Sequence, residues 1–232
     1  MPGAIIFDFD GVIADTEPLH FEAFCEVLGD RGMTLSRDEY FGKYLGLNDR
    51  TMLQRLFADR RQPLEDSEIQ NLRGVKDAAF ERLISQGMEM LPGVQSFVEN
   101  ASRRWPSAIC SGARRSEILA ILGRHGLLRR FAVIVATDDV PISKPDPAGF
   151  LRALELLRAA HPSLTAGQCL AIEDSVLGIE AARSAGMRVL AVLGPAGHPT
   201  RVAGDRRADL ADWACESLVD VDLERMMKVE SA

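Results

Sequence analysis

Five short apolar runs most constrain what this chain can fold into: AIIFD at 4–8, SAICS at 107–111, AVIVA at 132–136, CLAIE at 169–173 and RVLAV at 188–192. None alternates apolar with polar residues, so each reads as a strand covered on both faces. Each is followed by a polar or glycine-containing turn and then a helical pattern, which predicts a doubly wound α/β core around a parallel sheet. The stretch between the first and second runs is far longer than the later ones. Within it, segments 18–32, 36–46, 48–60 and 66–87 carry apolar residues at helical spacing. Ser36, Asn48 and Asp66 are the expected N-caps there, and Gly32, Gly46 and Gly87 the expected stops. The expectation is a small helical domain at 16–87 inserted into a core formed by 1–15 and 88–232, with LPGV marking the return to the core. In the tail from Pro195, ADLADWACESL hints at one more strand and a closing helix.

The chain has 232 residues, 47% hydrophobic, with a formal net charge of −7. A nucleic-acid surface needs an excess of Lys and Arg on one face, so no nucleic-acid partner is expected. The charge also means that an anionic substrate must be attracted by local cations rather than by the protein's whole field. No apolar run approaches the length of a membrane span and no signal peptide is evident, so no membrane partner is expected and the cytoplasm is the expected location. The four cysteines are scattered without CxxC spacing and read as small buried hydrophobes. A monomer or weak homodimer is expected.

The first strand ends in Asp8-Phe9-Asp10-Gly11. Two carboxylates two residues apart on extended chain project to one side, at the sheet edge where open α/β folds bind their ligands. Three later strand ends add Ser111 beside backbone N–H groups at a helix start, Lys144 within VPISKPDP, and the pair Glu173-Asp174. Singly, these read as a turn cap, a helix cap, a solvated loop cation and a charged helix start. In this order and at these ends they read as one anion-handling site.

DFDGVIADTEPLH, the serine after the second core strand, SKPDP and IEDSVLGIEAARSAGM together resemble the signature segments of the haloacid dehalogenase superfamily, in its β-phosphoglucomutase and phosphoglycolate phosphatase-like branch. The resemblance spans Ile5 to Met187. It implies Asp8 as nucleophile, Asp10 as general acid/base, Ser111 and Lys144 as phosphate ligands, and a Mg²⁺ site drawn from Asp8, Asp10, Glu173 and Asp174. It also implies a mobile helical cap in place of the insertion. Thr16, His20, Arg50 and Lys76 resemble cap-side substrate contacts, and Gly112 and Arg115 adjoin the phosphate-binding serine. His20 as a packed helix residue and Lys76 on a solvated helix face are the structural alternatives.

Chemistry favours that division of labour. A carboxylate approaching a phosphate monoester dianion meets roughly 8 kcal/mol of repulsion at 4 Å and an effective dielectric of about 20, so Asp8 needs a divalent cation and Lys144 around it. Dehalogenases of the superfamily lack the second aspartate, since halide leaves without an acid, so Asp10 favours phosphoryl chemistry. Mutases tend to carry further small polar residues after the serine, whereas this chain reads Gly112-Ala113-Arg114-Arg115. The expected activity is therefore a Mg²⁺-dependent phosphatase of a small phosphate ester, a sugar phosphate or phosphoglycolate-like acid, with a phosphosugar mutase as the alternative. A phosphonoacetaldehyde hydrolase would need a cap lysine of lowered pKa, and neither Lys43 nor Lys76 has an obviously apolar setting. A receiver domain would be about half this length with its phosphoacceptor after the third strand. A non-catalytic binding protein on the same scaffold is set against the filling of every expected catalytic position.

Overall fold

The computed structural model describes residues 3–45, 47–88, 90–195, 205–219 and 221–227. The chain divides into two compact units, one formed by Met1–Asp15 with Glu89–Ala232 and the other by Thr16–Met88.

In the first unit, β1 (Ala4–Phe7), β2 (Ser107–Cys110), β3 (Val133–Val135), β4 (Cys169–Glu173), β5 (Arg188–Val192) and β6 (Trp213–Cys215) form one sheet in the order β3-β2-β1-β4-β5-β6. Every pair is parallel, so all the strands end at the same edge. All five apolar runs are strands, and the sixth strand lies within the ADLADWACESL segment. Both faces are covered, which explains the missing alternation. Ala4, Ile6, Ala108, Cys110, Ala171 and Ala191 pack with Phe150, Ala153, Leu154 and Ile179 on one face. Ile5, Phe7, Ile109, Leu170 and Ile172 are equally buried, and Phe7 meets Phe97 and Phe131 edge-on, at centroid separations of 6.1 and 5.7 Å. Each buried Ile or Leu contributes on the order of 2 kcal/mol.

The sheet is flanked by α5 (Val94–Ser102), α6 (Arg115–Arg124), α7 (Ala148–Arg158) and α8 (Val176–Ser184), and the tail adds the short α9 (Arg207–Leu210) and α10 (Leu223–Met227). Helices α5 and α7 each bury one stripe, Val94, Phe97, Val98 and Ala101 in α5 and Phe150, Ala153, Leu154 and Leu157 in α7, the spacing of an amphipathic helix on a sheet. The Ser175 hydroxyl caps α8 by accepting from the Gly178 N–H at 3.0 Å. In α10, the Met226 carbonyl accepts from Arg188 at 2.5 Å and Glu224 pairs with Arg104. The segments flanking the insertion run side by side: Ala14 pairs antiparallel with Met90, and the Leu91 N–H donates to the Ile13 carbonyl at 3.1 Å.

The second unit holds helices α1 (Glu17–Gly29), α2 (Arg37–Glu39), α3 (Asp49–Asp59) and α4 (Asp66–Gln86) around Phe24, Leu28, Tyr44, Leu53, Leu56, Phe57 and Leu72. Ser36 and Asn48 cap α2 and α3 through their side chains. The N-cap of α4 is Glu65 rather than the expected Asp66, because Glu65 is still extended and its N–H meets the Glu68 carboxylate one turn on, at 3.4 Å. Gly87 ends α4 at φ 125°. Helix α1 stops at Gly29, and the expected stop Gly32 lies in the turn beyond it at φ 68°. Gly46 lies outside the described residues. No helix among the described residues is long and apolar enough to cross a membrane. All four cysteines are free, Cys110 and Cys169 buried and Cys25 and Cys215 half-buried.

Candidate active site

Strand β1 delivers Asp8 to the sheet edge, where its N–H still pairs with the Ile172 carbonyl of β4 at 2.8 Å. Next door, β4 ends in Glu173, fully buried, followed by Asp174. Oxygens of Asp8, Glu173 and Asp174 lie within 4.8 Å of one another. Lys144 comes from the loop before α7, just ahead of the cis bond to Pro145. Its Nζ donates to Asp8 Oδ1 at 2.7 Å, to Glu173 Oε1 at 2.5 Å and to the Cys110 carbonyl at 3.1 Å. One ammonium thus ties together the ends of β1, β2 and β4.

Electrostatics make this group high in energy as it stands. Burial, then the Asp8 charge, push the Glu173 carboxyl above its ordinary range. Burial, then the charges of Asp8 and Glu173, do the same to Asp174. Burial would lower Lys144, but the charges of Asp8 and Glu173 outweigh it and hold the ammonium well above its usual range. Ionised together, the three carboxylates against one ammonium would carry two excess negative charges, the deficit that a divalent cation neutralises. An all-oxygen donor set suits a hard ion such as Mg²⁺, so the residues present fit such an ion.

Asp10 departs from expectation. Extended structure stops at Phe7, and residues 9–14 form a tight turn in which Ile13 and Ala14 N–H groups bond back to the Phe9 carbonyl. Asp8 and Asp10 therefore do not share an extended segment, and Asp10 stands outside the carboxylate trio, close enough for its charge to raise Asp174 further. Gly11, at φ 73°, makes this turn possible and leaves room for the Asp174 carboxylate, which a Cβ at position 11 would meet at 2.0 Å.

Ser111 is buried directly after β2. Its N–H donates to the Val135 carbonyl at 3.0 Å and its Oγ accepts from the Ala113 N–H at 2.9 Å. It does not begin a helix, because the glycine-containing turn delays α6 until Arg115. Gly112 is exposed with open space around it. Arg115 turns back onto β3 and its following turn: its guanidinium donates to the Ile134 carbonyl at 2.8 Å and to Asp139 at 2.5 Å. The expected anion ligand is thus engaged by a carboxylate.

The helical unit contains a second polar group. Thr16 is buried at the N-cap of α1. His20 stacks on Phe80 at 4.0 Å, and its Nδ1 lies 2.7 Å from Lys76 Nζ, which also reaches Asp49 at 2.9 Å. Lys76 is 2% exposed and lies over the Phe24 and Phe80 rings. The solvated helix face considered for Lys76 is therefore wrong, and so is the reading that its surroundings lack apolar groups. It belongs to the buried stripe Ile69, Leu72, Lys76, Phe80 and Leu83. Arg50 is half-exposed and paired with Asp66 at 2.8 Å.

A family profile described as haloacid dehalogenase-like hydrolase matches residues 5–192. The chain belongs to that family. This hydrolase is 34% identical over 185 residues to the "Phosphorylated carbohydrates phosphatase" of Thermotoga maritima, covering 79% of this chain and 82% of that one. It is 33% identical to the "Fructose-1-phosphate phosphatase YqaB" of Escherichia coli, covering 79% and 92%. Among solved structures, CbbY from Rhodobacter sphaeroides in complex with phosphate superposes with a TM-score of 0.79 at 26% identity, covering 95% of this chain and 96% of that one.

Two outcomes are expected of this haloacid dehalogenase-like hydrolase from the geometry alone. A Cβ at Gly178 would fall 2.0 Å from the Glu173 carboxyl. Gly178→Ala is therefore expected to cost about 2 kcal/mol in a thermal or denaturant melt, and unchanged stability would show that Glu173 moves aside freely. Burial, with the Lys76 charge adding to it, pushes His20 down to about 3 from 6.5. The unfolded chain then binds a proton that the folded one refuses. The stability tied to neutral His20 is complete above pH 6.5 and is lost as pH falls from there toward about 3. His20→Gln should remove about 2 kcal/mol of the stability lost between neutrality and about pH 5. Parallel pH–stability curves for the two proteins would contradict this.

Proposed function

We propose that this protein is a Mg²⁺-dependent phosphatase of a small phosphorylated metabolite, a sugar phosphate before a phosphoglycolate-like acid, acting through an aspartyl-phosphate at Asp8. The observation that carries this reading is Lys144 spanning Asp8 and Glu173, with Asp174 completing the carboxylate trio. The two curated relatives, named for phosphatase activity on phosphorylated carbohydrates, support the sugar-phosphate choice.

Asp8 attacks phosphorus and Asp10 gives its proton to the departing alkoxide. Asp10 then takes a proton from the water that attacks the acyl phosphate and releases inorganic phosphate. Lys144 and the Ser111 hydroxyl and neighbouring N–H groups stabilise the charge on the phosphoryl oxygens. Asp8, Glu173 and Asp174 would hold the Mg²⁺, which would supply neutralisation of the negative charge that two anions bring together. Substrate selection is assigned to the helical unit acting as a cap; of its four expected contacts Arg50 is the exposed cation, while Thr16 and Lys76 are buried and His20 is stacked on Phe80 inside the unit.

The test is phosphate release from a panel of sugar phosphates and phosphoglycolate, with Mg²⁺ and with EDTA. Release from at least one sugar phosphate, abolished by EDTA and restored by Mg²⁺, is the expected result. Isomerisation of a sugar 1-phosphate without net release would replace the phosphatase by the mutase. Turnover indifferent to EDTA would remove the metal from the mechanism.

A further inference from the structure

The three carboxylates of the site are not held alike. Asp8 and Glu173 are gripped by Lys144, and Glu173 also accepts from the Ser175 hydroxyl at 3.2 Å. Among the described residues no hydrogen bond fixes the Asp174 carboxylate, so its aim depends on the backbone that carries it. That backbone is held from the tail. Arg207 opens α9 and is 4% exposed. Its Nη1 donates to the Asp174 carbonyl at 2.7 Å and to the Val192 carbonyl at 3.4 Å, and its Nη2 donates to the Leu193 carbonyl at 3.1 Å. The Asp205 carboxylate accepts from Nε at 3.0 Å and from Nη2 at 2.6 Å. One guanidinium therefore joins the end of β4 to the end of β5 while its charge is neutralised from behind.

We infer that Arg207 is a positioning residue for the divalent-ion site: by fixing the Asp174 carbonyl it sets the peptide between Asp174 and Ser175, and so the direction in which the Asp174 carboxylate faces Asp8 and Glu173. Tail packing alone does not call for this side chain, because an apolar residue of similar volume fills such a place without the desolvation of a buried ion pair. What an apolar residue lacks is a rigid fork of donors. Lysine, a point charge with three donors, cannot serve three carbonyls and a carboxylate in one plane. The inference rests on the reading of Asp8, Glu173 and Asp174 as a divalent-ion site.

Its test is the affinity of the full-length protein for Mn²⁺, followed by electron paramagnetic resonance without substrate, for the wild type and the variants Arg207→Met, Arg207→Lys and Asp205→Asn, each first melted without metal. Arg207→Met and Arg207→Lys are expected to weaken Mn²⁺ binding about tenfold to a hundredfold, as for other partners that orient a ligand. Failure of lysine to rescue marks the fork rather than the charge as the cause. Wild-type Mn²⁺ affinity in either folded arginine variant would overturn the inference. If neither folds, Asp205→Asn decides, since it loosens the guanidinium but leaves it in place: weaker binding supports the inference and unchanged binding ends it. A wild type that binds no Mn²⁺ refutes the divalent-ion reading itself. A binding wild type with equally binding variants refutes only the role of Arg207.

Discussion

Asp8→Asn is expected to lower kcat by about four orders of magnitude or more, some 5 kcal/mol of transition-state stabilisation, while raising the melting temperature of the metal-free protein. The two effects share a cause. Asparagine is nearly isosteric and its carbonyl can still accept from Lys144, so the 2.7 Å contact survives in shape. The amide cannot form the acyl phosphate, which accounts for the lost rate. Removing the Asp8 charge also relieves Glu173 and Asp174, both of which it disfavours in their ionised forms. Steady-state kinetics and metal-free calorimetry check the two halves. Borohydride quenching during turnover adds a third readout, because it reduces an acyl phosphate and leaves a homoserine at its position. Homoserine at another aspartate, or an asparagine variant with more than a hundredth of wild-type turnover, would refute the assignment.

Lys144→Met should be nearly as damaging to catalysis, by about a thousandfold in kcat/KM, and far more damaging to the fold. It strands Asp8 and the fully buried Glu173 without a counter-charge. Breaking a buried pair from one side costs about 3–5 kcal/mol. The double variant Lys144→Met with Glu173→Gln removes both partners and should recover much of that stability, though not the activity. Chemical denaturation of the two variants and of Glu173→Gln alone completes the cycle. If the double variant is no more stable than Lys144→Met, the loss at position 144 is one of packing and not of charge.

The core strands were legible because a sheet buried on both faces forbids alternation, and AIIFD, SAICS and CLAIE state that without ambiguity. Asp8 and Glu173-Asp174 were legible as residues at strand ends, where a parallel sheet collects its ligands, whereas Lys144 reaches the same edge from a loop well beyond β3. The finer geometry was not. Extended chain was carried past Phe7 as far as Asp10, which put Asp10 alongside Asp8, and no rule of spacing announces the tight turn that Gly11 makes. The burial of Lys76 was available from the stripe Ile69, Leu72, Phe80 and Leu83, but a lysine is assumed to face water until its partners, His20 and Asp49, are found on other helices. Arg207 left no trace, since the carbonyls it binds are distant in sequence and its near partner, Asp205, is an ordinary polar neighbour in DRRADL.

The seam formed by Ala14 with Met90 and Ile13 with Leu91 brings the two mouths of the insertion together on the sheet's own framework. Whatever is spliced between them closes a loop whose ends are already clasped. Each doubling of its length adds only about 0.6 kcal/mol of closure entropy. The length and content of that graft are therefore uncoupled from the register of β1 on β2, which the clasp leaves undisturbed.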